Sequence, residues 1–412
     1  MAQYDKSIRV LYSFPHKLGA ERICYTAWQQ VNGLAEAGAE VLVFPGALHR
    51  PVPGNVRVQP TLAWGKLRIP YRLLGRIRAC ALHDLIVSKR IKKLVGQIDI
   101  IHTWALGARR TLEAARRLGI PTVLERPNAH TRFAYDVVQK ECERIGVPLP
   151  PGHEHEFNNE ILKREELEYR LADFLLCPSD FVVKTFRDQG FPPEKLLRHI
   201  YGFDEKRFFP DPNPRDPQKG LTMISVGVCA VRKGLHFALE AWLKSPASRD
   251  GTFLIAGEFI PAYQKKLAPM LSHPSVKVLG HRTDVPELMR KSDVFILPTI
   301  EEGSALVTSE ARGSGCVLLV SEASGAVCRD GQDALVHKPG DVKTLAGQIS
   351  RLDKDRILLR QLRAASLNTI NEITWRAAGE NLLKAYKKAF SANGDLWLHA
   401  AASKTIGKAI EA

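Results

Sequence analysis

Short apolar runs recur along this chain, and between them apolar residues return every three to four positions. The short runs are β-branched or leucine-rich and predict strands buried on both faces, while the 3.6-residue rhythm predicts helices. In the first half the predicted strands are Ile8 to Phe14, Val41 to Phe44, Asp99 to His102, Thr122 to Leu124, Phe174 to Cys177 and Leu197 to Tyr201. In the second half they are Thr222 to Val226, Thr252 to Ala256, Val276 to Leu279, Val294 to Leu297, Val317 to Ser321 and Ala334 to His337. Strands alternating with helices assemble as parallel sheets with helices on both faces. Two such sets predict an α/β protein of two doubly wound, Rossmann-like domains.

Between the two sets, Phe209-Pro-Asp-Pro-Asn-Pro-Arg-Asp-Pro217 is too rich in proline for regular structure. It marks a hinge, with a first domain over residues 1–205 and a second over 206–385. Thr374-Trp375 followed by Ala377, Ala378, Leu382, Leu383 and Tyr386 has helical spacing. A ligand at the switch points of two open sheets would lie in the cleft between them.

Three strand-to-helix turns carry candidate chemistry. Pro298-Thr-Ile-Glu-Glu-Gly-Ser-Ala-Leu-Val-Thr-Ser-Glu310-Ala-Arg-Gly-Ser-Gly315 follows an apolar run and combines a strand end, a small-residue loop and a helix start. The N–H groups of Gly303, Ser304, Ala305 and Leu306 would face whatever sits over the helix N-terminus, where the macrodipole favours a diphosphate. Glu310 lies about two turns along from Glu302, within reach of paired hydroxyls such as a ribose diol. In Val226-Gly227-Val-Cys-Ala-Val-Arg232-Lys233-Gly234, Arg232 can bind a diphosphate in a fork and Lys233 as a compact charge. In the first domain, His16-Lys-Leu-Gly19-Ala20-Glu-Arg22 lies between the first strand and a long helix. Gly19 permits close backbone approach there, and the helix N-terminus again favours phosphate.

The stretch from Glu302 to Glu310 resembles the glutamate, seven residues, glutamate motif of retaining family 4 glycosyltransferases, which have the two-domain GT-B fold. The likeness extends from about Ile8 to about Phe390. It implies that Glu310 holds the nucleotide ribose and that Glu302 lies beside the donor sugar. Tyr201-Gly-Phe-Asp204 resembles the family's Asn-Gly-Val-Asp turn at the end of the first domain. The helix after Thr374, with a continuation over about 386–412, resembles the terminal helix that crosses back onto that domain. Two departures stand out: Ser304 and Ala305 replace the usual aromatic and glycine, and Val228 replaces a phosphate-binding arginine. The family's first-domain histidine falls by register at Pro127, so His130 in the same loop, or His102 at a predicted strand end, are the alternatives for that role. His16, Glu125, Arg126 and Asn128 are further candidates for recognising sugar or acceptor hydroxyls.

Bulk composition narrows the partners. The apolar fraction of 45% and charged fraction of 25% over 412 residues suit two globular domains. No apolar stretch reaches the ~18 residues of a spanning helix, and no secretory signal pattern opens the chain, so a cytoplasmic location is expected. Seven cysteines without a CxxC pair suggest reduced core thiols. His153-Glu-His-Glu156 lacks helical metal-ligand spacing and is expected to start a polar helix. Asp353-Lys-Asp355 follows a helical pattern rather than a strand, so it predicts a break between two helices and no metal site.

The formal net charge is +15, and residues 51–100 hold ten Lys or Arg against two Asp. Within residues 64–93 these cations alternate with apolar side chains, as an amphipathic helix resting on an anionic membrane requires. Nucleic acid is a poorer fit, since no binding motif of defined spacing is present. Together these features predict metal-independent, retaining transfer of a sugar from a nucleotide-sugar donor, UDP-sugar favoured and GDP-sugar possible, with no cofactor. The implied acceptor is a lipid-linked or polysaccharide hydroxyl in surface-glycan synthesis, with the enzyme peripheral on the inner face of the membrane. A non-catalytic nucleotide- or glycan-binding protein on the same scaffold is the alternative, and a GT-B phosphorylase is disfavoured by the lack of a pyridoxal lysine motif.

Overall fold

The computed structural model describes residues 7–64, 67–69, 74–212 and 220–391. Most of the proline-rich connector, part of the basic segment and everything after residue 391 lie outside the described residues. The first half supplies β1 (Arg9–Leu18), β2 (Glu40–Leu48), β3 (Arg57–Val58), a small antiparallel pair of β4 (Ala63–Trp64) and β5 (Leu67–Arg68), then β6 (Ile100–Trp104), β7 (Thr122–Glu125), β8 (Phe174–Cys177) and β9 (Leu196–Arg198). The second half supplies β10 (Thr222–Val226), β11 (Thr252–Ala256), β12 (Val276–Gly280), β13 (Val294–Leu297), β14 (Val317–Ser321) and β15 (Ala334–His337).

Seven strands pair in the order β3-β2-β1-β6-β7-β8-β9 and six in the order β12-β11-β10-β13-β14-β15. Every described pairing within these two sheets is parallel. Each sheet reverses direction at an internal switch point, between β1 and β6 and between β10 and β13. The crevice beyond the carboxyl ends at such a point is where open α/β sheets bind ligands.

Several boundaries differ from expectation for physical reasons. β1 runs past Phe14 because a register shift lets Lys17 and Leu18 pair with Ala47 and Leu48, burying Leu18. His16 therefore sits in the strand and the turn shrinks to residues 19–22. β6 continues to Trp104, which puts His102 inside the strand rather than at its end. Residues 151–156 form turns, and the helix expected there begins only at Asn159, capped by Asn158. The basic segment divides into the β4–β5 hairpin and a helix, Arg76–Arg90. That helix buries His83 between Ser13 and Thr61, and Asp84 accepts the N–H groups of Arg110 and Thr111, so its inner face is fixed by polar bonds within the domain. Asp355 ends the helix Val342–Lys354 and caps Arg356–Asn368 through the Leu358 N–H at 2.9 Å, the expected break.

Two helices carry the chain across from one lobe to the other. Residues 375–391 are helical, and Leu382, Leu383, Ala385, Tyr386 and Ala389 pack into the first domain's core with Val10, Tyr12 and Val31. Glycines at 33 and 379 permit that crossing: a Cβ added to Gly379 would lie 2.5 Å from Gly33 backbone. In the opposite sense, helix Thr131–Ile145 lends Val138, Cys142 and Ile145 to the second domain's core beside Leu235 and Phe237. Apolar faces buried in this way tie the lobes together.

Candidate functional site

The carboxyl ends of β10 and β13 send out the two loops that dominate the interlobe cleft. Gly234 at φ 69° has its Cα face against the Pro298 carbonyl, where a Cβ would approach to 2.0 Å. Ile300 N–H and Thr299 Oγ1 both donate to the Arg232 carbonyl, at 3.0 and 2.8 Å, stitching the loops together. Such fixed backbone holds side chains in register for binding.

Together these loops place Arg232, Lys233, Glu302, Ser304, Ala305, Leu306 and Glu310 on one cleft of about 850 Å³, with Gly227 and Asn128 also on its wall. Glu302 is buried and pairs with Arg232 Nη1 at 2.5 Å and with Lys233 Nζ. Burial alone would raise the Glu302 carboxyl, but the two cations hold it below the ordinary carboxylate value. Burial pushes the Lys233 ammonium down, with Arg232 adding to the fall and Glu302 opposing it. Glu310 follows on the helix Leu306–Gly313, and burial pushes its carboxyl up to about 7, with Arg207 opposing. The Leu306 and Val307 positions at this helix start both line the cleft.

Other predicted positions lie elsewhere or spend their N–H groups within the protein. Gly303 is wedged between the lobes: a Cβ there would meet the Pro127 carbonyl at 1.4 Å, and Ser179 Oγ donates to the Gly303 carbonyl at 2.5 Å. Ala305 N–H donates to the Ser324 carbonyl at 3.1 Å, so it is committed within the protein. Gly19 and Ala20 likewise donate internally, to Cys24 and Lys17, and the first-domain wall is made instead by Arg22, Ile23 and Thr26. His16 is largely buried beside Phe14, and burial with the nearby Arg76 lowers it to about 4.

His130 turns away from the cleft. It caps the helix Thr131–Ile145 by accepting the Arg132 N–H, and its ring packs among Tyr169, Phe186 and Phe191. That aromatic surround and the nearby Arg126 lower it to about 3. Pro127 and Asn128 from the same loop face the cleft. His102 and Glu125 belong to a buried network beneath it: Glu125 accepts from Gln30, His199 and Tyr201 at 3.0, 3.0 and 2.7 Å, and His102 Nδ1 meets Tyr386 OH at 2.5 Å. Tyr201 carries this network to the cleft wall. Arg126 is buried against Glu165 and the Ala129 carbonyl, on a neighbouring cavity of about 530 Å³ that shares Asn128, His153 and Glu154 with the cleft.

Sequence inspection missed Glu258, Tyr201 and Glu154 on the cleft wall, and Glu301 behind it. Glu258 directly follows a strand end and Gly257, the same signal that marked the other two loops. Among the described residues no group of three or more His, Cys, Asp or Glu could hold a metal ion.

A cleft between two doubly wound sheets, with Arg232, Lys233 and the start of helix Leu306–Gly313 on one wall, is the geometry of a two-lobed α/β protein. Comparison with known sequences is more specific. The family profile described as Glycosyltransferase Family 4 matches residues 24–201, and that described as Glycosyl transferases group 1 matches residues 220–355. A UDP-Gal:α-D-GlcNAc-diphosphoundecaprenol α-1,3-galactosyltransferase of Escherichia coli is 30% identical over 270 residues, 59% of this chain and 68% of that protein. The putative colanic acid biosynthesis glycosyltransferase WcaL of Salmonella typhimurium is 27% identical, over 48% of this chain and 54% of its own length. The chain therefore belongs to the group 1, family 4 glycosyltransferases. Its fold matches HepE of Anabaena, solved with UDP, at a TM-score of 0.61 and 17% identity over 93% of this chain and 100% of that one. Sucrose-phosphate synthase of Thermosynechococcus elongatus gives 0.64 and 16% over 94% and 100%. The fold is GT-B, and the chain spans about half the length of the WcaL relative.

Proposed function

We propose that the protein transfers a sugar from a nucleoside diphosphate sugar, UDP-linked in first preference and GDP-linked in second, to a hydroxyl of a lipid-linked or polysaccharide acceptor, with retention at the anomeric carbon. The observation that carries this is the convergence of Arg232, Lys233, Glu302 and Glu310 on one cleft beside a helix start. Glu310 accepts the ribose diol. Arg232 and Lys233 take the diphosphate, exchanging Glu302 for phosphate oxygens, and the released Glu302 carboxylate then turns to the donor sugar's hydroxyls. Charge building on the departing diphosphate meets fixed cations and helix N–H dipoles, which lowers the barrier without a bound metal. The departing phosphate oxygen takes the acceptor hydroxyl's proton on the same face.

The cavity that shares Asn128, His153 and Glu154 with the cleft seats the acceptor, and Arg76, Ile77, Arg78 and Phe157 at its wall face a membrane from which a lipid-linked acceptor would come. Support for such an acceptor comes from the E. coli relative, whose name specifies a diphosphoundecaprenol substrate. Among the described residues no helix is long and apolar enough to span a membrane, so attachment to the inner face would be peripheral. Release of free nucleoside diphosphate from UDP-, GDP-, ADP- and dTDP-sugars, with chelator present, tests the proposal. Turnover of one donor class is expected; binding without release of diphosphate would instead identify a non-catalytic binder.

A further inference from the structure

Glu301, one residue before the donor-side glutamate, is fully buried and is not on the cleft wall. Its carboxylate is held from both lobes. Oε1 accepts the Ala129 N–H at 3.2 Å, and Oε2 accepts from His155 Nε2 at 3.0 Å, both in the first-domain sequence. From the second domain, Arg232 Nη1 lies 3.6 Å from Oε2 and donates to the Glu301 carbonyl at 2.9 Å. His155 in turn belongs to the turn whose neighbours His153 and Glu154 line both the cleft and the adjoining cavity.

A carboxylate taken out of water costs several kcal/mol unless its partners satisfy it, and these do. Against burial, His155 and Arg232 keep the Glu301 carboxyl at about 2. What the arrangement achieves follows from Arg232, which has two carboxylates to choose between, Glu301 behind it and Glu302 in the cleft. Glu301 meets the same Nη1 that pairs with Glu302, through its carbonyl at 2.9 Å and its Oε2 at 3.6 Å, and so anchors that end of the guanidinium beside the cleft when Glu302 is displaced.

We propose that Glu301 and His155 form a positioning pair across the lobes, in which His155 orients Glu301 and Glu301 aims Arg232 at the donor's diphosphate. This rests on the donor site proposed above. Because charge on the diphosphate grows as the sugar leaves, a misaimed Arg232 harms the transition state and the free diphosphate more than the intact donor. Misplacement of about 1 Å at a distance from the reacting atoms can lower rates by roughly 100-fold.

The test uses the full chain and the variants Glu301→Gln, His155→Ala and His155→Gln. Glu301→Gln and His155→Ala are expected to lower kcat about 10- to 100-fold with donor KM changed less than about threefold. The same two should weaken inorganic pyrophosphate binding by about tenfold in calorimetry, while His155→Gln, whose amide N–H can reach Glu301, restores part of both. The double variant Glu301→Gln/His155→Ala should be no worse than the poorer single, as for residues acting as one unit. Pyrophosphate affinity within about twofold of wild type in both singles, multiplicative losses in the double, or loss of the thermal transition in every variant would each overturn the pair. A wild type that turns over no sugar nucleotide would defeat the proposed function instead, and pyrophosphate binding would still decide the pair.

Discussion

At the scale of single residues, the cleft separates acidic groups that hold the protein together from those left for a ligand. Glu125 is saturated by Gln30, His199 and Tyr201, all buried. Glu125→Ala should cost about 3–5 kcal/mol by stranding those partners, seen as a lower midpoint in urea. Glu310 is the opposite case: burial raises its carboxyl, and the charges of Arg207 and Asp204 act on it from a distance, in opposite directions. With its carboxyl raised to about 7, the ionised form that can accept both hydroxyls of a diol becomes dominant only above that pH. Donor affinity should therefore climb as pH rises through about 7, and calorimetry on Glu310→Gln should find weak binding with no such slope. Stability runs the other way. Between the ordinary carboxylate range and about 7 the native state keeps a proton that the unfolded chain has lost, so stability falls as pH rises through that window. Glu310→Gln should melt above wild type at pH of about 8, trading binding for stability. Lys233→Ala leaves Glu302 paired with Arg232, so it should keep its fold while turnover falls about 100- to 1,000-fold, as when one fixed donor to a developing charge is lost. An unchanged rate would remove Lys233 from the diphosphate site.

At the scale of elements, the second sheet was legible almost residue for residue, because strands such as Val294–Leu297 and Val317–Ser321 are buried throughout and leave an unbroken apolar run. The two-residue edge strand Arg57–Val58 and the hairpin of Ala63–Trp64 with Leu67–Arg68 were not, since a strand of two residues leaves no period to count. That Glu302 and Glu310 share one cleft was legible because their spacing is local. His130 was misassigned because a cap and a ligand draw on the same residue types, and nothing local shows that Tyr169, Phe186 and Phe191 will surround the ring. Likewise the apolar stripe on Thr131–Ile145 predicts a helix but not that the second domain covers it. The crossing of Gly33 with Gly379 was silent too, since neither glycine has a positive φ or a turn around it. Gly379→Ala forces two helix backbones apart and should cost about 1–3 kcal/mol, read as a lower melting temperature. If Gly379→Ala melts with wild type, the terminal helix is not held where the close contact places it.

At the scale of the whole molecule, charge and cavity lie on the same side of the first lobe. Arg76, Ile77 and Arg78 open the helix Arg76–Arg90, all exposed, and Lys89, Lys92 and Lys93 are exposed near its other end. Its opposite side is committed to the core through His83 and Asp84, so the cations cannot be satisfied inward. Phe157, at 57% exposure, stands with Arg76 and Ile77 on the cavity beside the cleft. The proposed membrane contact would use that combination, anionic headgroups attracting the arginines while apolar side chains enter the interface. Each basic residue near an anionic surface contributes about 1 kcal/mol, and replacing it by an acid adds repulsion. Arg76→Glu/Arg78→Glu should therefore weaken sedimentation with anionic vesicles by on the order of 100-fold or more, and salt at about 0.5 M should weaken wild-type binding in the same direction. Phe157→Ser would test the apolar share, with a smaller loss that salt does not enlarge. Donor binding in the absence of membrane should survive the double charge reversal, since neither arginine pairs with the Arg232 and Glu302 cluster. Equal sedimentation of wild type and the reversed variant would place the membrane contact elsewhere or remove it.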